Sequence, residues 1–280
     1  MPDAVFVLAE AVRVVSFRIV PLDRSSEDSF LRFLNRDRIG HYYVLYDLRY
    51  LRDRMRAWLA LCDGEVQAFM MEYDGRILHI RGNSDCVAGL LSKSDLSAPL
   101  FNVEPEHLST VRDRFEPTEP ADKRTDGLIT TFLTLKVTSE SLRPLIRHDV
   151  QELNQTNVSD VAGLLEVEPQ RARDLLRGVG FGLFKNGRLV SCAVSPEMLE
   201  DLAIIRGVHT AAEERNKGYS SSVCSVLVQQ LLRQGRDVIL FVSKDNPAAI
   251  RVYSKIGFKE TGRVSLAFKA RVRKVGSAQG

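Results

Sequence analysis

The stretch Val208-His-Thr-Ala-Ala-Glu-Glu-Arg-Asn-Lys-Gly-Tyr-Ser220 holds residue types that suit an anion. It follows an apolar, strand-like run, Leu202-Ala-Ile-Ile-Arg-Gly-Val208, and precedes a helical run from Val223 to Arg233. A strand that breaks into an Arg-x-x-Gly-x-small turn and then a helix presents the helix's first unpaired N–H groups at the positive end of its dipole. Arg215 and Lys217 add full charges, and Gly218 lets the backbone approach a ligand closely. The ligand such a turn suits is a phosphate-bearing cofactor, above all a pyrophosphate. Two other phosphate loops are excluded. No Gly-x-x-x-x-Gly-Lys-Ser/Thr occurs, and the turn has a single Gly where a dinucleotide fingerprint needs Gly-x-Gly-x-x-Gly.

A second constellation lies downstream. Val238-Ile-Leu-Phe-Val242 reads as a buried strand. After it comes Ser-Lys-Asp-Asn246-Pro247-Ala-Ala-Ile-Arg-Val-Tyr253-Ser-Lys-Ile-Gly257-Phe258. Asn246 suits an N-cap, Pro247 the first helical position and Gly257 a left-handed residue past the end, so a helix spans Pro247 to Ile256. The turn Arg215-Asn216-Lys217-Gly218-Tyr219-Ser220 resembles the acetyl-CoA loop of the GNAT N-acetyltransferase superfamily, whose pattern is Arg/Gln-x-x-Gly-x-Gly/Ala; Ser220 departs mildly from its last position. The run Asn246-x-x-Ala249-x-x-x-Tyr253-x-x-x-Gly257-Phe258 resembles the second acetyl-CoA element of the same enzymes, and the two occur in the family's order with one strand between them.

The resemblance implies acetyl-CoA as acyl donor and a primary amine as acceptor. In that family the strand before the loop splays from its neighbour and pairs with the pantetheine arm. That assigns the backbone of Val208, His209 and Thr210 to pantetheine and the amides of Arg215 through Ser220 to the pyrophosphate. Asn246, with Ala249 on the same helix, faces the pantetheine or thiol end, and Tyr253 protonates the leaving thiolate. Acyl transfer from a thioester needs a neutral amine, a stabilised oxyanion and a protonated leaving group. A phenol and a thiol differ by only about one and a half units in reference pKa, so a Tyr beside the sulfur is a reasonable acid. For the general base, Asp201 at the start of the strand is the first choice, ahead of Glu200, His209, Glu213 and Glu214; a water chain is the other option. Other acceptors remain open: a protein α-amino group or Lys, or no acceptor at all, the chain being a non-catalytic acyl-CoA sensor.

Composition fits this class. The chain has 280 residues, 44% hydrophobic and 27% charged, with a net charge of +3. That length suits two domains, and so small a charge does not point to nucleic acid. Cys62, Cys86, Cys192 and Cys224 form no C-x-x-C pair, which argues against a zinc site and suits a reducing cytoplasm. No run is long enough to span a membrane, and Asp3, Glu10, Arg13 and Arg18 interrupt any signal-peptide core. The basic tail Lys269 to Lys274 reads as a solvated end. No metal is expected, and the oligomeric state is a monomer or a homodimer.

The elements that must position these residues divide the chain at a polar linker, Thr138-Ser-Glu-Ser-Leu-Arg-Pro144. The expected domains are 1–143 and 144–280, and the fold class is α/β (α+β) with a mixed sheet. The second half reads as a strand at Val150–Leu153, two helices divided by Pro169, a hairpin at Gly182–Val190 with an Asn186-Gly187 turn, the strand–loop–helix, the capped helix, and a last strand near Gly262–Ala270. This order resembles the GNAT fold throughout. The first half echoes it: a strand near Val14–Val20, a helix over Ser26–Arg38, a meander of Trp58–Cys62, Val66–Tyr73 and Ile77–Arg81 with two Asp-Gly turns, and a helix over Ser84–Leu91. A strand at Pro99–Val103, a helix over Glu104–Phe115, a mobile loop Phe115–Gly127 and a strand at Leu128–Val137 complete it. It lacks an Arg-x-x-Gly loop and an Asn-to-Tyr helix, so it is expected to be a degenerate GNAT-like copy. This arrangement resembles the glycine N-acyltransferase-like branch, in which the first half walls the acceptor cleft. By that resemblance Tyr42, Tyr43 and Asp47 are acceptor-side candidates.

Overall fold

Alternating apolar residues and tight Asp-Gly turns build the first half around a meander. The computed structural model describes residues 17–92, 96 and 99–273. It opens with strand β1 (Arg18–Pro21), helices α1 (Glu27–Asn35) and α2 (Tyr42–Tyr50), and strands β2 (Met55–Cys62), β3 (Glu65–Tyr73) and β4 (Ile77–Gly82). Residues 14–16 of the expected first strand lie outside the described residues. Helix α3 (Ser84–Ser92), β5 (Leu100–Val103), α4 (Leu108–Arg114), β6 (Phe115–Pro120) and β7 (Thr130–Val137) follow. Asp63, Gly64, Asp74 and Gly75 all have positive φ, between 50° and 81°; the first pair is a two-residue hairpin loop and the second opens a three-residue one.

The second half contains β8 (Gln151–Leu153), α5 (Val158–Leu165), α6 (Pro169–Leu175), β9 (Val179–Lys185), β10 (Arg188–Ser195), β11 (Leu202–Ile204) and β12 (Arg206–Thr210). It ends with α7 (Tyr219–Arg233), β13 (Asp237–Ser243), α8 (Pro247–Ile256) and β14 (Lys259–Val272). The apolar stripe Val223, Cys224, Leu227, Val228 and Leu231 of α7 is fully buried against Leu240 and Val242 of β13 and Tyr253 and Ile256 of α8.

Two strands cross between the halves. β7 lies between β13 and β14 and is antiparallel to both, with Leu135 opposite Leu240 and Leu133 opposite Val264. β14 returns the exchange: Phe268 lies opposite Phe101 of β5 and Pro120 of β6. The result is one 10-stranded sheet in the order β1-β2-β3-β4-β5-β14-β7-β13-β11, with β6 on β14, and a separate 4-stranded sheet β12-β10-β9-β8. The pairs β4–β5 and β11–β13 are parallel, so the large sheet is mixed. The strand that closes the first half in sequence therefore sits in the sheet of the second.

Two segments differ from expectation. Residues 115–120 are not loop but strand β6, with Phe115 and Pro117 buried. Among the described residues β6 pairs only with β14, and prolines are tolerated on such an edge strand. The aromatic-dense segment from Tyr42 is a helix; its Tyr and Val content favours strand locally, and burial of Tyr42, Leu45 and Leu48 against the sheet overrides it. The linker is strapped to the second half. Leu145 N–H donates to Ser225 Oγ (2.9 Å), Arg147 N–H to Ser222 Oγ (3.0 Å) and Arg143 N–H to the Ile256 carbonyl (2.7 Å). Among the described residues no helix is long and apolar enough to cross a membrane.

Candidate functional site

A bulge opens the site. β10 and β12 shift register between Cys192–His209 and Val194–Arg206, so β12 carries one extra residue. Gly207, with φ of 56°, sits in the bulge. β11 pairs with β13 through Ile204, whereas β12 pairs with β10 and forms the edge of its own sheet. A bulge twists a strand away from its former neighbour. Here it leaves one edge of Val208, His209 and Thr210 facing the gap beside β13, as a splayed strand must.

Beyond β12 the chain makes one 3-10 turn, Ala212–Glu214, and enters α7. Asn216 (φ 63°) and Gly218 (φ 81°) are both left-handed, which curls successive N–H groups toward a common centre. Gly218 is the N-cap and supplies no capping side chain. The first bond of the helix runs from Ser222 N–H to the Gly218 carbonyl, so Tyr219, Ser220 and Ser221 N–H have no intrahelical acceptor. Arg215 Nε donates to the Thr210 carbonyl (3.3 Å) and keeps its exposed head at the loop rim. Lys217 and Lys185 both bind Glu214, at 2.7 and 2.9 Å, so a phosphate would compete with that carboxylate for Lys217. His148, from the linker, supports the loop: its Nε2 donates to the Lys217 carbonyl (2.9 Å) and its ring meets Tyr219 edge-on at 4.7 Å.

α8 forms as its caps dictate. Asn246 Oδ1 accepts from Ala249 N–H (3.2 Å), and Gly257 ends the helix at φ 108°. Val208, Tyr219 and Ala249 pack against the same apolar cluster that contains Tyr253. The structure thus gathers β12, the loop and α8 around one space. Tyr253 is buried, its ring 5.7 Å from Phe258. Burial, with Cys224 beside it, pushes its pKa above that of a free phenol. It is therefore protonated at neutral pH, the form a proton donor needs. Burial also pushes the His209 imidazole below its ordinary value, with Arg215 adding to the effect, so this half-buried ring is neutral at neutral pH.

Asp201 is placed elsewhere. Its carboxylate is clamped by Arg38, with Nε at 3.0 Å and Nη2 at 2.5 Å, and is more than half exposed. Although partial burial opposes it, Arg38 holds this carboxyl below the usual range. It precedes β11 and lies seven residue steps from Val208, roughly 23 Å if extended. Glu200 pairs with Arg49 and Glu213 with Arg188, both in solvent. None of these is a base for chemistry at the splay.

Sequence reading missed the polar contact between the halves. Arg206, the first residue of β12, binds Glu197 Oε1 at 2.7 Å and lies 5.6 Å over the Tyr43 ring. Tyr42 donates its hydroxyl to the Glu197 carbonyl (2.6 Å). Tyr43 also meets Phe241 of β13 at 5.6 Å. Tyr43 and Phe241 wall a cavity of about 460 Å³ whose floor draws on both halves, including His79, Asn102, Phe132 and Ser265. The signal that Arg206 and Glu197 belong together is absent from sequence spacing, because the β10–β11 connection and the bulge decide it.

Among the described residues, the first half shows no splayed strand or open helix terminus at the corresponding place. β4 stays paired with β5 from Ile77 to Ile80. Arg81 donates to the Ile80 and Asn102 carbonyls (2.8 and 2.9 Å) and to the Asn102 side chain, filling the place where a strand would splay. The N terminus of α3 is occupied by Asn83 Oδ1, which accepts from Asp85 N–H (3.0 Å).

Comparison with known proteins agrees. Residues 176–266 match the family model described as FR47-like protein. A search of curated proteins finds no significant match. A solved acetyltransferase of the GNAT family from Novosphingobium aromaticivorans is 20% identical, with 73% of this chain and 89% of that one covered at a TM-score of 0.51. A Drosophila protein is 10% identical over 91% and 99% of the two chains, at 0.68. A tandem GNAT protein from the clavulanic acid biosynthesis pathway is 11% identical over 92% and 98%, at 0.60. That last likeness extends the shared architecture to both halves. With a splayed strand, an open helix terminus and neighbours of this architecture, the chain has the GNAT fold, and its residues 176–266 match the FR47-like family model.

Proposed function

We propose that the chain is an acetyl-CoA-dependent N-acetyltransferase acting on a primary amine of a small molecule or amino acid. Residues 144–280 form the cofactor-binding unit, and residues 1–143 a degenerate copy that walls the acceptor side. The observation that carries this reading is the free edge of β12 leading into the uncapped N terminus of α7, with Tyr253 in the same apolar cluster. In this reading Val208, His209 and Thr210 pair with pantetheine, and the amides of Arg215, Asn216, Lys217, Gly218, Tyr219 and Ser220 take the pyrophosphate. Asn246 spends its side chain on capping α8 and so acts by fixing that helix, with Ala249 packed at its start. The neutral amine attacks the thioester carbonyl, a C–N bond forms, and the C–S bond breaks. Tyr253 gives its proton to the thiolate, and the one proton the amine sheds returns to Tyr253 through a base or solvent.

Calorimetric titration of acetyl-CoA into the wild type and into Gly218→Glu and Ser220→Glu proteins tests the cofactor assignment. Both variants put a negative charge at the phosphate position. Ser220→Glu keeps Gly218 and places an acid in the first turn of α7, which helices tolerate well. Binding by the wild type and loss of roughly tenfold or more in both variants is the expected result. A wild type that does not bind acetyl-CoA ends the reading.

A further inference from the structure

Three charged side chains meet beside the turn into α7, and the middle one has the wrong sign for an anion site. Lys185, from the end of β9, and Lys217, from the loop, both hold the Glu214 carboxylate. Lys185 Nζ donates to both oxygens, Oε1 at 2.9 Å and Oε2 at 3.2 Å, while Lys217 Nζ donates to Oε2 at 2.7 Å. The lysines cover the acid: its side chain is 12% exposed, and each of theirs 44%. Hydrogen bonds from Lys217 first and Lys185 second hold the Glu214 carboxyl below the usual range, so it is an anion at neutral pH. Glu214 lies in the loop shortly before Gly218, the N-cap of α7. The N–H groups of Tyr219, Ser220 and Ser221 there have no intrahelical acceptor and suit a phosphate. A carboxylate fixed beside them repels that phosphate unless its own charge stays neutralised.

We propose that Glu214 holds Lys217 in place of a phosphate, and that Lys185 is the positioning residue that lets the two be exchanged. This inference rests on the acetyltransferase reading and adds Lys185 to its cofactor site. When the pyrophosphate of acetyl-CoA draws Lys217 away, Lys185 remains on both oxygens of Glu214 and keeps that charge neutralised. The exchange costs little, because exposed lysine–carboxylate pairs contribute little. It is favourable, because a phosphate gathers the free amides and the lysine together. The backbone stays where it is: His148 Nε2 bonds the Lys217 carbonyl at 2.9 Å, so only the Lys217 side chain turns. Lys185 is carried by a separate strand, and Arg188 on the same hairpin reaches Glu213 at 2.9 Å. A protein without Lys185 leaves Glu214 to compete for Lys217 and to face the ligand with its full charge. Lys185 therefore acts through Glu214 and needs no contact with the cofactor.

The test titrates acetyl-CoA into the full chain as wild type, Lys185→Met, Glu214→Gln, the double variant and Arg188→Met. Lys185→Met is expected to weaken binding roughly tenfold, and Glu214→Gln to tighten it roughly threefold. In the Glu214→Gln background, Lys185→Met is expected to cost less than about twofold, because the acid it neutralises is gone. Arg188→Met removes the same charge from the same hairpin and frees Glu213 instead, so it measures the general electrostatic effect, expected at about twofold. Acetylpantetheine carries the same acyl arm and no phosphate, so Lys185→Met is expected to leave its binding unchanged. An equal cost of Lys185→Met in the two backgrounds overturns the inference, as does a cost no larger than that of Arg188→Met. A parallel loss of acetylpantetheine binding also overturns it, by marking a structural role. The wild-type titration separates the two failures. If acetyl-CoA binds and the two substitutions are additive, only the exchange is wrong. If the wild type does not bind acetyl-CoA, the acetyltransferase reading itself has failed.

Discussion

Tyr253 illustrates what a single side chain gains and loses by burial. Desolvation keeps its proton on at neutral pH but makes it a weaker acid than free phenol. In the proposed acid role it would donate to a thiolate that the same apolar surroundings destabilise as well. Replacing Tyr253 by Phe keeps the ring and its contact with Phe258, so acetyl-CoA affinity should hold while kcat falls on the order of 10²-fold or more. Unchanged turnover would remove the acid role. Asp47 makes a stability prediction of the opposite sign to a salt-bridged carboxylate. Its pKa rises from 3.8 to about 7 on folding, so between about pH 4 and pH 7 the unfolded chain has lost a proton that the folded chain keeps. Stability from this group is full at low pH and is lost as pH rises through that window. Asp47→Asn should therefore melt higher than the wild type at about pH 8, by up to about 4 kcal/mol, with the gain vanishing near pH 4. Thermal denaturation at the two pH values measures it. At this scale the sequence was readable wherever chemistry was local: Gly218, Asn246 and Gly257 have the conformations and caps that their neighbours imply. It failed at Asp201, since strand position alone does not reveal Arg38 reaching across 163 residues to claim the carboxylate.

Elements position those residues, and each depends on a few of them. Gly257 ends α8 at φ 108°, and a Cβ there would collide with the Ser141 carbonyl of the linker. Gly257→Ala should cost roughly 2–5 kcal/mol and displace α8, combining backbone strain with overpacking. Asn246→Ala removes one cap and should cost about 1 kcal/mol, leaving the helix in place. Chemical denaturation of both proteins ranks the two effects, and reversal of that order would mean the cap and not the linker contact fixes α8. The capped helix was legible because its start, stop and period agree. The break between β11 and β12 was not, although Gly207 inside an apolar strand is the usual mark of a bulge. α2 and β6 were hidden for opposite reasons. Tyrosines favouring extended chain were recruited into a helix by the core beneath them, and a proline-rich segment became a strand because β14 offered it an edge.

The molecule as a whole is joined by exchange. Since β7 fills the gap between β13 and β14, a fragment of residues 144–280 would have to fold with a strand missing from its centre. Expressed alone, residues 144–280 should be unfolded or aggregated, and co-expression with residues 1–143 should restore a folded complex. A stable, acetyl-CoA-binding fragment would refute this. Element order made a two-copy plan readable from sequence, but strand order did not follow from it, because pairing partners more than a hundred residues apart leave no local trace. The exchange also governs motion. Two domains joined by a tether can swing apart to admit a ligand, with hinge residues absorbing the change. Here any such swing would have to tear the ladders on both sides of β7 and along β14. The shared ladders hold the halves in one relative pose, so any ligand reaching the space between them has to enter by local side-chain rearrangement and not by a swing of one half away from the other.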